Sequence, residues 1–252
     1  MAADEPVVDL FGVLCNTDTV DADGIEWNVE LSQGWDSPDQ RSPVGDPAGR
    51  HGGVPMGDLW GVRTIIAEGE AVAPTQALAW KAFYRLTGSM PGLGKDGTLV
   101  VHEPEPKQVT VRQARPPSID SPVRGLVSFR LTLGAMDPLK QGTTLKSVTI
   151  GPGSSVAVTN AGNESAEPVL TTGGAGLVNV SSDHGGTIST DTSVPSGTVF
   201  DVLHRDVSGP TGDDLFTATS PGMLWFSLPP GNTNVHNSGT QPVTLTFRDA
   251  YA

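Results

Sequence analysis

The sequence predicts a mainly β protein in two parts: a first half with a sheet and one helix, and a second half that forms an antiparallel sandwich. Three observations lead to this prediction. The 252 residues include 31 glycines and 21 prolines, which interrupt helices and suit turns. Apolar and polar residues alternate without exception over Ile25–Leu31. After Leu145, about eight short strand-like stretches are separated by Gly- and Pro-rich turns, a spacing typical of a sandwich.

The first half contains strands with one polar and one apolar face. Alternation is clearest in Ile25–Leu31 and Val127–Leu133, which we expect to be half-buried. The remaining candidates include a hairpin formed around the Glu-Pro-Glu-Pro stretch. These further strands are Val7–Val13, Gly61–Ala67, Thr98–His102 and Val109–Ala114.

One helix is predicted between Pro74–Thr75, which open it, and Gly88, which closes it. Its apolar residues include two pairs that are four apart, Trp80 with Tyr84 and Ala79 with Phe83, so a broad apolar face is available. We expect this broad apolar face to pack on the sheet.

A segment rich in Gly, Pro, Asp and Ser, which we call the arm, extends over Ser32–Asp58. Loops this long in a compact domain are usually functional, so we expect an interaction arm with little regular structure. The candidate interface residues are Trp35, near the start of the arm, and Trp60 and Arg63, just after its end. The alternative is a surface loop that contacts nothing.

The two parts meet at Asp137–Pro138, where the alternating strand ends. Proline lacks a backbone donor and biases the residue before it towards an extended conformation, so the strand can end there. We predict a first domain of residues 1–141, a second of residues 142–252, and an interdomain hinge at Asp137 and Pro138. The segment Asp137–Gly142 is called the linker below.

The second half contains only short strand candidates, which is why we expect a sandwich there. They are Leu145–Ile150, Ser155–Asn160, Pro168–Thr172, Leu177–Ser181, Thr187–Thr190, Thr198–Leu203, Met223–Leu228 and Val243–Arg248. Trp225 lies among apolar neighbours and is expected in the core, although an exposed Trp on a sandwich could stack on a sugar ring.

Composition and motifs argue against several functional classes. The formal net charge of −13 disfavours nucleic-acid binding. The single cysteine excludes an intrachain disulfide, and neither a signal peptide nor an apolar run long enough to span a bilayer is present, so we expect synthesis and folding in a cytoplasm. We find no catalytic residues, no cofactor motif and no metal site. Thr19–Glu30 partly matches a calcium loop, but a turn at Asp23–Gly24 leading into a strand explains it better.

Several segments resemble, in the right order, those of distal tail proteins, the Dit family of minor tail proteins in long-tailed bacteriophages. The strand ending "RLTLGAMDPLK" is similar to the family's "ADP…Y" ending, although this chain has Met136 before Asp-Pro and no Tyr at 141. The other matching stretches are "GVRTIIAEGEAVA" with the helix after it, "VTNAGNESAEPVLTTGG", "DTSVPSGTVFDVL", "LWFSLPPGNTNV" and "VTLTFRDAYA".

The resemblance implies an architectural role without enzymatic activity or cofactors. A belt domain, a β-barrel or sheet with one helix, would form a ring, usually hexameric, and a galectin-like sandwich would project outward. The implied partners are other copies of the chain, the tail tube protein, the tail hub protein and receptor-binding proteins. The implied location is the tail tip or baseplate of the virion, assembled in the cytoplasm of the bacterial host. The alternative is a carbohydrate-binding module used in host adsorption, which a glycan-binding signal from the second half would favour.

Overall fold

The computed structural model describes residues 6–38, 40–41, 44–45, 54–55, 59–92 and 94–252. The chain divides into two compact units, residues 1–140 with Ala252, and residues 141–251. The fold is mainly β, as predicted, and its strands pair in antiparallel sheets. Among the described residues, no helix has the length and apolar character needed to cross a membrane.

The first unit is built on one antiparallel sheet with the strand order β2-β1-β9-β10-β12-β8-β3, and β11 pairs with β12. Its helix α1, Gln76–Ser89, lies between β8 and β9 in the chain. The strands are β1 Val7–Leu10, β2 Val13–Cys15, β3 Glu26–Gln33, β4 Gln40–Arg41, β5 Val44–Gly45, β6 Val54–Pro55, β7 Leu59–Trp60, β8 Arg63–Val72, β9 Gly97–His102, β10 Lys107–Gln113, β11 Ser118–Ile119 and β12 Leu126–Ala135.

Asn16 brings the two ends of this sheet together. Its backbone N–H donates to the carbonyl of Trp27 at 2.8 Å, and its side-chain amide both donates to Val29 O and accepts from Val29 N. The backbone of Asn16 is left-handed, with φ of 59°, a conformation that asparagine tolerates better than most residues. The sheet therefore curls into a barrel-like form.

The two alternating strands of the first half are confirmed, and alternate residues of each face the core. The inward-facing residues of β3 and β12 are Trp27, Val29, Val127, Phe129, Leu131 and Leu133. Burying each such side chain contributes roughly 1.5–3 kcal/mol before conformational entropy is counted. The predicted hairpin is also present, as β9 and β10.

The predicted helix is confirmed, and its predicted apolar face packs on the core at Ala79 and Phe83 but not at Trp80 and Tyr84. Thr75 caps it by accepting from Leu78 N at 3.3 Å. Its buried residues are Ala79, Ala82 and Leu86, while Trp80 and Tyr84 are 40% and 66% exposed and stack on each other. The small side chains of Ala79 and Ala82 let the helix lie close to the sheet, and the rings of Trp80 and Tyr84 remain on the outside.

Cys15 lies at the end of β2 and is fully buried in the core of the first unit. Burial, with a smaller contribution from the nearby charge of Asp9, raises the pKa of its thiol to about 12. The thiol is therefore protonated at neutral pH.

The second unit is an antiparallel sandwich of two sheets, β14-β22-β16-β19-β20 and β15-β21-β17-β18. Apolar side chains from both sheets are buried, including Ile150, Leu170, Phe200 and Leu245 from the first and Val158, Val180, Ile188 and Val235 from the second. A 3-10 helix spans Phe216–Ala218. The strands, with β13 at the boundary between the units, are β13 Lys140–Gly142, β14 Lys146–Ile150, β15 Ser154–Asn160, β16 Val169–Thr172, β17 Asn179–Ser182, β18 Thr187–Ser189, β19 Val199–Asp201, β20 Asp206–Ser208, β21 Gly231–Asn237, β22 Val243–Phe247 and β23 Ala250–Tyr251.

One predicted strand of the second half is wrong. Met223–Leu228 forms only isolated bridges, from Leu224 to Thr187 and from Leu228 to Ala166. Pro229 and Pro230 follow it directly and lack backbone donors, so a regular ladder cannot continue there.

Asn160, at the end of β15, is a buried hydrogen-bonding centre in the sandwich. Its side-chain amide donates to the carbonyls of Glu164 at 2.7 Å and Leu228 at 2.9 Å. Its Oδ1 accepts from the backbone N–H groups of Gly162 at 3.0 Å and Ala250 at 3.3 Å. Three separate segments are thus held by one side chain that is 1% exposed.

Asn237, at the end of β21, repeats this arrangement. It is also followed two residues later by a glycine, and its Oδ1 accepts from Gly239 N at 3.0 Å. Its amide donates to the carbonyls of Ile150 and Gln241 at 3.0 and 2.8 Å. Both asparagines satisfy backbone groups that the strand ladders leave unpaired inside the unit.

Candidate functional site

The arm leaves β3 at a tight point that we call the arm root, Gly34–Asp36. Gly34 has φ of 83°, and a Cβ added to it would lie 1.9 Å from the carbonyl oxygen of Thr64. Only glycine allows the backbone to pass this close to β8 with a positive φ. The path of the arm is therefore set at the point where it leaves β3.

Arg63, at the start of β8, holds the arm root and the linker at once. It is fully buried. Its Nε donates to Pro138 O at 2.6 Å, and its Nη1 donates to Gly34 O at 2.9 Å and to Trp35 O at 2.6 Å. Burial lowers the pKa of Arg63 while the charges of Asp137 and Asp36 raise it, and the guanidinium stays protonated.

Trp35 is anchored through its ring. It is 6% exposed, and its Nε1 donates to Glu103 Oε1 at 2.6 Å. The amino group of Lys140, in the linker, lies 5.2 Å from the centre of the indole, which is within the range of a cation–π contact. A second connection between arm root and linker therefore runs beside the one through Arg63.

Glu103 completes this network from the β9–β10 turn. It also accepts a hydrogen bond from Lys107, with which it forms an ion pair. Burial acts to raise the pKa of Glu103, but the hydrogen bonds from Lys107 and Trp35 and the charges of Lys107 and Lys140 outweigh it and lower the pKa. The carboxylate is therefore ionised whenever the network is intact at neutral pH.

The predicted hinge residues begin the linker and contact the first unit. Asp137 accepts from Leu139 N at 3.0 Å, which closes a short turn, and Pro138 O is bound by Arg63. Lys140 is 7% exposed. That Asp137 and Pro138 form a hinge stays a prediction, and a movement that displaces Pro138 O must break its part-buried hydrogen bond with Arg63.

The three predicted interface residues lie in different surroundings. The side chains of Trp35 and Arg63 are buried and make their contacts inside the first unit, whereas Trp60 is 41% exposed on β7. An interface at the arm stays a prediction, and of these three side chains only Trp60 presents an accessible surface for it.

The described part of the arm has more regular structure than predicted. Gln40–Arg41 pairs with Leu59–Trp60, and Val44–Gly45 pairs with Val54–Pro55, both antiparallel. The second pair lies inside the first along the chain, so these segments form a hairpin. The prediction of little regular structure is therefore wrong for these residues, because strands of two residues are too short to show a period-two pattern. Residues 39, 42–43, 46–53 and 56–58 of the predicted arm lie outside the described residues.

The Thr19–Glu30 stretch is a turn that feeds β3. Asp21 Oδ1 accepts from the backbone of Asp23 and Ile25, and its Oδ2 accepts from Trp27 Nε1 at 2.9 Å and Arg85 at 2.6 Å. Burial acts to raise the pKa of Asp21, but these hydrogen bonds and the charge of Arg85 lower it. Both carboxylate oxygens of Asp21 are therefore occupied by hydrogen bonds that hold the turn, the strand and the helix. Within the described ranges, no cluster of three or more His, Cys, Asp or Glu side chains could hold a metal ion.

Trp225 is only partly buried, so its expected place in the core is wrong. It lines an open groove of about 500 Å³ in the second unit. The turn between β17 and β18 forms one side of the groove and the segment before β21 forms the other. The lining residues are His184, Gly185, Gly186, Leu224, Trp225, Phe226, Ser227 and Pro229.

Comparisons with known proteins identify the fold. No protein-family model and no curated protein sequence matches the chain. Among solved structures, it is similar to the Dit protein (gp 19.1) of phage SPP1, described as a paradigm of hub adsorption apparatus in phages infecting Gram-positive bacteria. That match has 17% identity and a TM-score of 0.69, and it covers 98% of this chain and 99% of the SPP1 chain.

The chain is also similar to a component of the phage P2 baseplate in its activated conformation. The structure with Ca matches at 10% identity and the structure with Sr at 12%, both with a TM-score of 0.52 and 97% coverage of each chain. At such low identities, what is shared is the fold, and it extends over nearly the whole chain.

Proposed function

We propose that this protein is a structural component of a phage tail tip or baseplate, a distal tail protein that joins the tail tube to the tip and to the receptor-binding apparatus. The observation that carries the proposal is the match to the SPP1 Dit protein, which extends over both units. The P2 baseplate matches support the same role. The role is architectural and not catalytic, because the proteins that share the fold belong to hub and baseplate assemblies.

In this role the chain assembles as a ring, for which we propose a hexamer. Its partners are the tail tube protein, the tail hub protein and receptor-binding proteins, and its place is the tail tip of a virion assembled in the cytoplasm of a bacterial host. A closed ring needs two different, complementary surfaces on each subunit. The hairpin of the arm, with the exposed Trp60, supplies one of them.

Deleting Gln40–Val54 tests the arm. We expect the variant to remain folded but to stay monomeric, or to form a much weaker ring, because the hairpin that contacts the neighbouring subunit is lost. Size-exclusion chromatography with light scattering measures the mass. Trp60→Ser should weaken assembly in the same direction, whereas Tyr84→Ser removes an exposed aromatic ring outside the arm and is the matched control.

Two outcomes separate the arm from the ring. A deletion variant that assembles as well as the parent contradicts the role of the arm and leaves the ring intact. A parent chain that stays monomeric at high concentration, even with tail partners present, contradicts the ring itself.

We also propose that the two units fold independently, with the domain boundary at the linker. Residues 142–252 expressed alone should give a soluble protein with a cooperative thermal transition, since this sandwich has its own buried core. Circular dichroism during heating is the measurement. An insoluble product, or one without a cooperative transition, would rule out a separate second domain.

A second candidate function is carbohydrate binding by the second unit. The groove at Trp225 favours it, because a partly exposed indole can stack on a sugar ring while neighbouring polar groups bind hydroxyls. Binding of host glycans would complement a place at the tail tip and is compatible with the ring.

A further inference from the structure

We infer that Arg63 couples the arm to the linker, so that displacing either segment loosens the other. The coupling is a property of the single chain and does not depend on the ring. It goes beyond an architectural role, because it gives the protein a path by which contacts on the arm reach the point where the chain leaves the first unit.

The first argument is geometric. The guanidinium is a rigid plane, and it binds Pro138 O through Nε and Gly34 O and Trp35 O through Nη1. The three carbonyls therefore hold fixed positions around one group. A shift of the linker pulls on the same plane that holds the arm root.

The second argument is burial. Arg63 is fully buried, and no hydrogen-bond partner for its Nη2 is present in the described part of the chain. Water cannot easily replace a broken hydrogen bond at this position, so a carbonyl that moves away leaves a buried polar group unpaired. Because Nη2 adds no anchor, the side chain is placed mainly by the arm root and the linker.

The third argument is a parallel contact. Lys140, two residues after Pro138, lies over the ring of Trp35, whose backbone carbonyl is bound by Arg63. The linker and the arm root thus meet at two points. If Arg63 only stabilised the core, loosening the linker would leave the arm root unchanged. Coupling predicts that the arm root loosens as well, and this difference can be measured.

The test is hydrogen exchange of indole N–H groups by NMR in the full chain, which has five tryptophans. The indole N–H of Trp35 is bound to Glu103, and that of Trp27 is bound to Asp21 and serves as an internal control in the same unit. Pro138→Gly loosens the linker backbone and keeps the carbonyl that Arg63 binds. We expect it to speed exchange at Trp35 by roughly three- to fivefold and to leave Trp27 unchanged.

The matched control is Pro116→Gly, an exposed proline in the same unit, which should affect neither indole. In an Arg63→Met background, Pro138→Gly should have a clearly smaller effect at Trp35, since only the contact between Lys140 and the Trp35 ring still joins the linker to the arm root. If that background does not fold, the comparison of Pro138→Gly with Pro116→Gly decides alone. Unchanged exchange at Trp35 in Pro138→Gly, or an equal rise at Trp35 and Trp27, would overturn the coupling.

Discussion

Replacing Asn160 by aspartate should lower the free energy of unfolding of the second unit by about 3–5 kcal/mol, a large share of the stability of a small domain. The substitution keeps the shape of the side chain but removes both N–H donors. It then places a carboxylate oxygen where the amide now approaches the carbonyls of Glu164 and Leu228 at 2.7 and 2.9 Å. The N–H groups of Gly162 and Ala250 still bind Oδ1, but they do not offset the burial of a charge whose second oxygen faces two carbonyl oxygens.

Thermal unfolding of the full chain, followed by circular dichroism, measures this effect. Asn179→Asp is the matched control, because Asn179 is an exposed asparagine in β17 of the same unit, and we expect a change within about 0.5 kcal/mol there. Equal melting temperatures for the Asn160→Asp variant and the parent would contradict the role assigned to Asn160.

Arg63→Met should lower the free energy of unfolding of the first unit by about 2–4 kcal/mol. Methionine keeps much of the apolar stem but leaves three carbonyls without their donor, that of Trp35 in a buried position and those of Gly34 and Pro138 in part-buried ones. The expected loss is smaller than three full hydrogen bonds, because the buried guanidinium itself carries a desolvation cost and an unpaired Nη2.

Urea denaturation followed by tryptophan fluorescence reports mainly on this unit, where Trp27 and Trp35 are buried. Arg130→Met is the control, since Arg130 is exposed on β12 and forms only a surface ion pair with Glu68. Arg63→Lys keeps the positive charge without the planar fork and should recover only part of the loss. Full recovery by lysine would show that charge and not the fork holds the segments.

Strands with strict alternation could be predicted from the sequence because one pattern fixes both the element and its buried face. This was so for β3 and β12. Prediction from alternation failed for β21, Gly231–Asn237, whose buried positions are Thr233, Val235 and Asn237. With one apolar residue among these three positions and polar residues between them, the strand has no hydrophobic periodicity, and its place in the sheet comes from pairing with β15 and β17.

The start of α1 was predictable, but its end and its buried face were less so. Thr75 caps the helix by local chemistry, whereas Gly88 lies inside the last turn and the helix ends at Ser89. The apolar residues of this helix surround most of its circumference, so the sequence does not show which stripe contacts the sheet. Close packing selected Ala79, Ala82 and Leu86, and not Trp80 or Tyr84.

The contacts of the candidate site could not be predicted either, because they join residues that are far apart in the sequence. Trp35 and Arg63 could be named because they lie near the two ends of the arm, but their roles depend on partners distant in the chain. Arg63 binds carbonyls of residues 29 and 75 positions away, and Trp35 binds Glu103 68 positions away. No local pattern encodes such contacts, since any buried arginine must find acceptors and many backbone carbonyls would serve.

The burial of Cys15 makes this chain well suited to site-specific labelling. The native thiol is fully buried, and with a pKa of about 12 almost none of it is the thiolate that reacts with maleimides or thiosulfonates. A cysteine introduced at an exposed position would therefore be the only reactive thiol, without prior removal of Cys15. Spin labels or fluorophores placed in pairs on the two units can then report distances in solution and in assembled particles.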